Sequence, residues 1–255
     1  MKEIWSEQIK LGSHDVDHKA FWTPYSIFYN MQEVANDHTE ILGVSWNDLM
    51  GKYNVCWVLT RMRVEMLKYP KAGDTITITT WPDSKAKAIF TRYFTYKDSN
   101  ENLLGSATSQ WVLFDTVNRV MVKPKDYNIP MPDTSMYQIP FALPKVNFDF
   151  SAEHSLFKAP SYSDLDYNGH VNNAKYIQWI YDILGYDVFD KMSVSTVDIK
   201  YCSEIQYREN ITITYSEILT DPTEFPFVFY VKGFGNDNRL CFEAVLALNK
   251  KASTF

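Results

Sequence analysis

Residues Val64–Thr79, VEMLKYPKAGDTITIT, align without a gap to Ile199–Thr214, IKYCSEIQYRENITIT. Both copies end in ITIT, and an acid sits two residues before that tetrapeptide in each, Asp74 and Glu209. Alternating Ile and Thr mark a half-buried strand, a pattern that any strand could show by chance. The same order of elements around both copies makes a duplicated unit the better explanation.

Working outward from the first copy, residues 4–12 read as a strand, and Thr23-Pro24 opens a helix. Thr23 stands at the N-cap and Pro24 at the first helical position, where its missing N–H costs nothing. Ile27, Phe28, Met31, Val34 and Ala35 follow at helical spacing. Residues 38–56 form a connector with some helical character. Strands are expected over 57–69, 75–81, 87–97 and 103–114, the last two joined by the turn-forming cluster Asp98–Asn102.

Around the second copy, a strand near 154–159 precedes a helix over 173–184. Asn172 or Asn173 caps it and Gly185 ends it. Tyr176, Ile177, Ile180, Ile183 and Leu184 mark its apolar face, and strands follow at 194–205, 210–218, 226–234 and 239–249. Five of the eleven prolines fall between Pro124 and Pro144, which reads as the crossing between two halves. The expected fold is therefore α+β: a tandem (double) hot-dog, each unit an antiparallel β-sheet wrapped around a central helix. The expected divisions are an N-terminal unit over 1–123, a proline-rich linker over 124–149 and a C-terminal unit over 150–255. Such a pairing would form an apolar cleft able to shelter a long tail.

Composition narrows the function. With 255 residues, 17 Tyr, 16 Phe and 7 Trp, the chain can fill sheets and an apolar cavity. Its net charge of -6 argues against nucleic acid as the main partner, because phosphate binding needs a basic field. The three cysteines form no CxxC pair, so neither a zinc site nor a disulfide framework is expected, and no metal or cofactor is implied. The N-terminal MKEIWSEQIKLGSHD has neither the apolar core of a signal peptide nor the basic character of a transit peptide, and no apolar run approaches a membrane span. A cytoplasmic protein is expected.

Chemistry concentrates in Asp164–Asn173, DLDYNGHVNN. Asx residues before a helix cap it and shape turns, which suffices for Asn172 and Asn173 and is an equal reading of Asp164. Asp166, Asn168 and His170 are spaced two apart, so in extended chain they face one side. A histidine grouped with an amide and a carboxylate is a candidate base near neutral pH. The matching place in the first half, HDVDHKAFWTP, carries Asp15 and Asp17 but no such group, so one active site per chain is expected.

DLDYNGHVNNAKYIQWIYDIL resembles the signature DLDxNxHVNNxxYxxW of the plant-type acyl-ACP (acyl carrier protein) thioesterases, which include bacterial members. WVLTRMRVEMLKYPKAGDTITITTW and SATSQWVLFD resemble the family's first-half strands, so the likeness covers roughly residues 5–250. The resemblance implies hydrolysis of fatty acyl-ACP to free fatty acid and holo-ACP, a role in fatty-acid biosynthesis, and acyl carrier protein as the substrate carrier. The family's catalytic positions fall on Asp166, Asn168, His170 and, aligning on Tyr201, Glu204. The family's cysteine after that glutamate is Ile205 here, which argues against a thiol mechanism and leaves Cys202 as inert. Either Glu204 or His170 would activate a water. Asn168 and backbone N–H groups would stabilise the oxyanion, and Asp166 would orient Asn168 and His170. Ile27, Phe28 and Met31 are expected to help set acyl length, with Asn173 and Tyr176 also contacting substrate. An acidic carrier needs a basic landing surface. Candidates are Arg61, Arg63, Lys68 and Lys71; Lys85, Lys87 and Arg92; or Lys123 and Lys125. Alternatives are an acyl-CoA thioesterase, a hot-dog hydratase or dehydratase, and a catalytically silent acyl-binding protein. Monomer and homodimer both remain open.

Overall fold

The structure, a computed structural model, describes residues 2–85, 88–127, 129–218 and 227–250. The chain divides into two compact units, Met1–Leu143 and Pro144–Phe255. Among the described residues each has one long helix packed with an antiparallel sheet, of six strands in the first unit and five in the second, and together they make a tandem hot-dog.

In the first unit the elements are β1 (Trp5–Lys10), α1 (Pro24–Leu42), α2 (Trp46–Tyr53), β2 (Val55–Met66), β3 (Thr75–Pro82), β4 (Phe90–Asp98) and β5 (Leu103–Asp115). The strands lie in the order β1-β3-β4-β5-β2, and β6 (Val120–Val122), which the sequence pattern did not announce, pairs with β5. The ITIT alternation of β3 is realised in burial: Ile76 and Ile78 are fully buried, and the intervening threonines are half-buried. Helix α1 buries Ile27, Phe28, Met31 and Val34 completely. Thr23 occupies its N-cap position, but its hydroxyl donates to the Asp15 carbonyl (3.0 Å), so the cap anticipated from sequence is not made. The C-terminus closes on Gly43 in the left-handed region (φ 69°), with Gly43 N–H donating to Glu40 O and Val44 N–H to Thr39 O. The connector's helical character resolves into α2, held by a reciprocal Ser45–Asp48 capping box.

In the second unit, β7 (His154–Lys158) leads to α3 (Asn173–Lys191), then β8 (Met192–Tyr201), β9 (Ile211–Ile218), β10 (Phe227–Phe234) and β11 (Leu240–Lys250). The strands lie in the order β8-β11-β10-β9-β7. Asn172 caps α3 by accepting from Ala174 N–H (2.9 Å). Gly185 (φ 76°, ψ -178°) breaks the helix where sequence places its end, but a further helical stretch continues to Lys191. Tyr176, Ile177, Trp179 and Ile180 are buried on its inner face.

Among its described residues the proline-rich stretch carries no strand or helix beyond a single turn at Pro124–Asp126. Its early part packs on the first unit: Thr134 is buried and donates to Pro82 O, and Phe141 O accepts from Thr108. Its later part packs on the second, where the Phe150 ring lies against Tyr230 and Phe148 is buried.

Candidate active site

The loop before α3 is built by carboxylates that capture backbone N–H groups. Asp164 Oδ2 accepts from Ser161 N–H (2.8 Å), and the residue is buried. Asp166 Oδ1 accepts from Asn168 N–H (2.9 Å) and His170 N–H (3.2 Å), while Asp166 N–H donates to His170 O (2.8 Å). Gly169 sits at the apex with φ 80°, a conformation that costs glycine nothing. The segment is thus a tight turn. The extended, same-side arrangement expected for Asp166, Asn168 and His170 does not occur, because Asp166 folds the chain back on itself. Its carboxylate orients Asn168 and His170 through their backbones. The Asn168 side chain is exposed and makes no hydrogen bond among the described residues.

A second loop brings the partner. Strand β8 stops at Tyr201, so Glu204 lies beyond the strand on which sequence placed it. The cause is local: Cys202 N–H and Ser203 N–H both donate to the one carbonyl of Cys241 (2.8 and 3.1 Å), which ends the ladder. Ile205 is fully buried and anchors the loop. Its carbonyl accepts from Val171 N–H (2.9 Å), and His170 forms an isolated antiparallel bridge with Gln206. These contacts tie the two loops together and leave His170 Nε2 3.4 Å from Glu204 Oε2. The imidazole and the carboxylate therefore meet, both accessible, with the Asn168 amide on the same loop.

The first unit repeats this scaffold almost bond for bond. Asp15 Oδ2 accepts from Gly12 N–H, and Asp17 Oδ1 accepts from Lys19 N–H and Phe21 N–H. Asp17 N–H donates to Phe21 O, Trp22 N–H to Pro70 O, and Phe21 bridges Lys71. Ala20, in the place of Gly169, has φ 64°. Superposed by these bonds and by the gapless repeat, Asn168, His170 and Glu204 correspond to Lys19, Phe21 and Tyr69. Burial, and then the charge of Asp17, raise the pKa of the Tyr69 phenol. The first unit has Phe21 at the place of His170 and Tyr69 at the place of Glu204; its own imidazole–carboxylate contact, His14 Nε2 to Asp15 Oδ2 (3.5 Å), joins neighbouring residues at the loop's entry. Sequence showed only the two shared aspartates.

The other residues singled out from sequence lie elsewhere. Ile27, Phe28 and Met31 are fully buried on α1, where Met31 Sδ accepts from the Tyr96 hydroxyl (2.6 Å). Asn173 begins α3 and its carbonyl accepts from the Tyr201 hydroxyl (3.1 Å). The buried Tyr176 ring lies edge-on to Tyr201 and Phe242. Desolvation of its sulfur and the Glu243 charge push the Cys202 thiol pKa up, opposite to what a nucleophile needs. Of the basic candidates, Arg92 cannot form a landing surface: it is buried, donating to His38 Nδ1 (3.0 Å) and Thr80 Oγ1 (3.2 Å). Arg63 pairs with Glu65 (2.7 Å). Lys68, Lys71, Lys85 and Lys123 are exposed. Lys87 and the side chain of Lys125 fall outside the described residues.

Two family models match the chain in tandem: the acyl-ACP thioesterase N-terminal domain over residues 2–128 and the acyl-ACP thioesterase C-terminal domain over 150–238. The chain belongs to the acyl-ACP thioesterase family. Among family relatives, it is 29% identical over 234 residues to oleoyl-acyl carrier protein thioesterase 1 of Arabidopsis thaliana, a match covering 84% of this chain and 65% of that protein. It is 30% identical over 209 residues to the oleoyl-acyl carrier protein thioesterase of Coriandrum sativum, covering 75% and 57%. The chain thus spans less than two thirds of these chloroplastic relatives. The fold matches that of an acyl-ACP thioesterase from Bacteroides thetaiotaomicron (TM-score 0.80, 21% identity, 98% of this chain and 100% of that one). It likewise matches the 12:0-ACP thioesterase of Umbellularia californica (TM-score 0.79, 20% identity, 98% and 99%).

Proposed function

We propose that this chain hydrolyses fatty acyl-ACP thioesters in fatty-acid biosynthesis, and that the second unit performs the chemistry. The observation that carries this reading is the 3.4 Å approach of His170 Nε2 to Glu204 Oε2, with Asn168 two residues before His170 on the same loop. The pair takes a proton from water as its oxygen attacks the thioester carbonyl. Asn168 stabilises the oxyanion. Collapse of the tetrahedral species breaks the C–S bond, and the proton passes to the leaving sulfur, giving free acid and carrier thiol. Asp166 contributes by fixing the loop. Asn173 and Tyr176, at the start of α3, are assigned to the wall around the reacting group. Ile27, Phe28 and Met31 are assigned to the acyl tail, where one methylene is worth about 0.8 kcal/mol, roughly a fourfold preference. The free thiols of Cys202 and Cys241 favour a reducing, cytoplasmic setting.

The test is a panel of acyl-ACP and acyl-CoA substrates of graded length, scored for thiol release. Efficient release from acyl-ACP supports the reading. Release from acyl-CoA alone would move the substrate to the other carrier. A change in enoyl absorbance without thiol would indicate a hydratase or dehydratase.

A further inference from the structure

Glu204 stands in a loop with its side chain more than half exposed, and His170 is the side chain it meets. Its backbone, by contrast, is gripped. Arg239, at the start of the β10–β11 turn's return, donates from Nη1 to the Glu204 carbonyl (3.0 Å) and to Ser203 Oγ, and from Nη2 to Glu209 Oε1. Ser203 Oγ in turn donates to Leu240 O (3.1 Å). Glu209 accepts with its other oxygen from Gln206 N–H (3.2 Å), closing the turn that follows Glu204. One guanidinium therefore holds the chain before, at and after the carboxylate.

Two further observations show the clamp to be specific. First, Gly235 has no side chain where one would intrude. A Cβ there would overlap the Glu209 carboxylate and approach Arg239 Nη2 at 3.2 Å. Second, the first unit lacks the clamp. Leu67 N–H and Lys68 N–H share Leu104 O just as Cys202 N–H and Ser203 N–H share Cys241 O. Two residues before those acceptors stand Asn102 and Arg239. Asn102 turns into its own hairpin, donating to Asp98 Oδ2 (2.9 Å). Asp74 still closes the corresponding turn by accepting from Lys71 N–H (2.8 Å), so the turn itself forms without an arginine.

We infer that Arg239, seated by Glu209 and admitted by Gly235, is a positioning residue that presents Glu204 to His170. This rests on the catalytic reading of Glu204 above.

The experiment is a double-mutant cycle on the full chain, with acyl-ACP as substrate. Arg239→Gln should lower kcat about 10- to 100-fold, the scale of a sub-ångström to ångström misplacement, and change KM less than about threefold. In a Glu204→Gln background the same substitution should add nothing, because its effect passes through Glu204. Gly235→Ala and Glu209→Gln supply independent arms if Arg239→Gln folds poorly. Both should lower kcat in the wild-type background and leave the Glu204→Gln enzyme unchanged. Equal losses in both backgrounds, or no loss in any folded variant, would overturn the clamp while leaving Glu204 catalytic. Full turnover by Glu204→Gln alone would overturn the catalytic reading, and the clamp with it.

Discussion

The loops at residues 12–23 and 161–172 share a backbone and differ in what hangs from it. Both use a first aspartate to hold the loop's entry, Asp15 or Asp164, each 6% exposed, and a second to capture two N–H groups. Both turn at a residue with positive φ, Ala20 or Gly169. Both dock on a second loop by the same backbone bond, Trp22 to Pro70 or Val171 to Ile205. Yet one carries Lys19 and Phe21, with Tyr69 on its partner loop, and the other carries Asn168 and His170, with Glu204 on its partner loop and 3.4 Å from His170. The aspartates build the loop, and the proposed chemistry rests on Asn168 and His170 carried by it and on Glu204 from the loop it docks on. A motif read as a whole conflates the two.

The comparison breaks most visibly in activity. Glu204→Gln, His170→Ala and Asn168→Ala should each lower kcat by about 10²–10⁴-fold, the range for loss of a general base or an oxyanion donor, with circular dichroism unchanged. Lys19→Ala, at the place of Asn168, should keep kcat within about threefold of wild type by the same thiol-release assay.

The aspartates should separate stability from activity. Asp166→Ala and Asp17→Ala each strand two N–H groups, and each should cost about 1–3 kcal/mol in urea denaturation. Only Asp166→Ala should also reduce kcat. Equal activity loss from both would mean that the first loop takes part in turnover.

The helices differ in acid. Burial, offset in part by the Lys2 carbonyl, lowers the pKa of His38 from 6.5 to about 4. The folded protein thus resists protonation that the unfolded chain accepts. The resulting stability is present above pH 6.5 and is lost as pH falls towards about 4. Helix α3 contains no histidine. Wild type should therefore lose Tm over this window more steeply than His38→Gln, and parallel curves would remove His38 from the acid response.

The smallest effects should come from the loop apices, with opposite signs. Gly169→Ala meets open space, so its cost is conformational, about 1 kcal/mol. Ala20→Gly relieves the same strain but adds unfolded-state entropy, giving a change between zero and about 1 kcal/mol in favour of folding. Differential scanning calorimetry of the pair reads both signs.

Much of the fold was legible because it rests on periodicity. ITIT became β3 and β9, and the apolar spacing after Pro24 became α1. The failures share a cause: they concern where a polar side chain turns. Thr23 bonds to Asp15 O, so it does not cap α1, and Asp166 bonds to backbone, so alternation in DLDYNGH does not place side chains on one face. Arg92 reads as a surface charge, yet neutral His38 and Thr80 accept it inside. Glu204 leaves its strand because Cys241 O takes two donors. Neither that shared carbonyl nor the grip of Arg239 leaves a local signature, since both join residues thirty or more positions apart.

The most direct test is to make the second loop resemble the first. The triple variant Asn168→Lys, His170→Phe, Glu204→Tyr keeps every backbone bond of the loop while replacing its chemistry. Single-turnover thiol release from acyl-ACP should fall to the uncatalysed rate in this variant while the folded protein persists. Release within about tenfold of wild type would contradict the assignment of hydrolysis to the second unit.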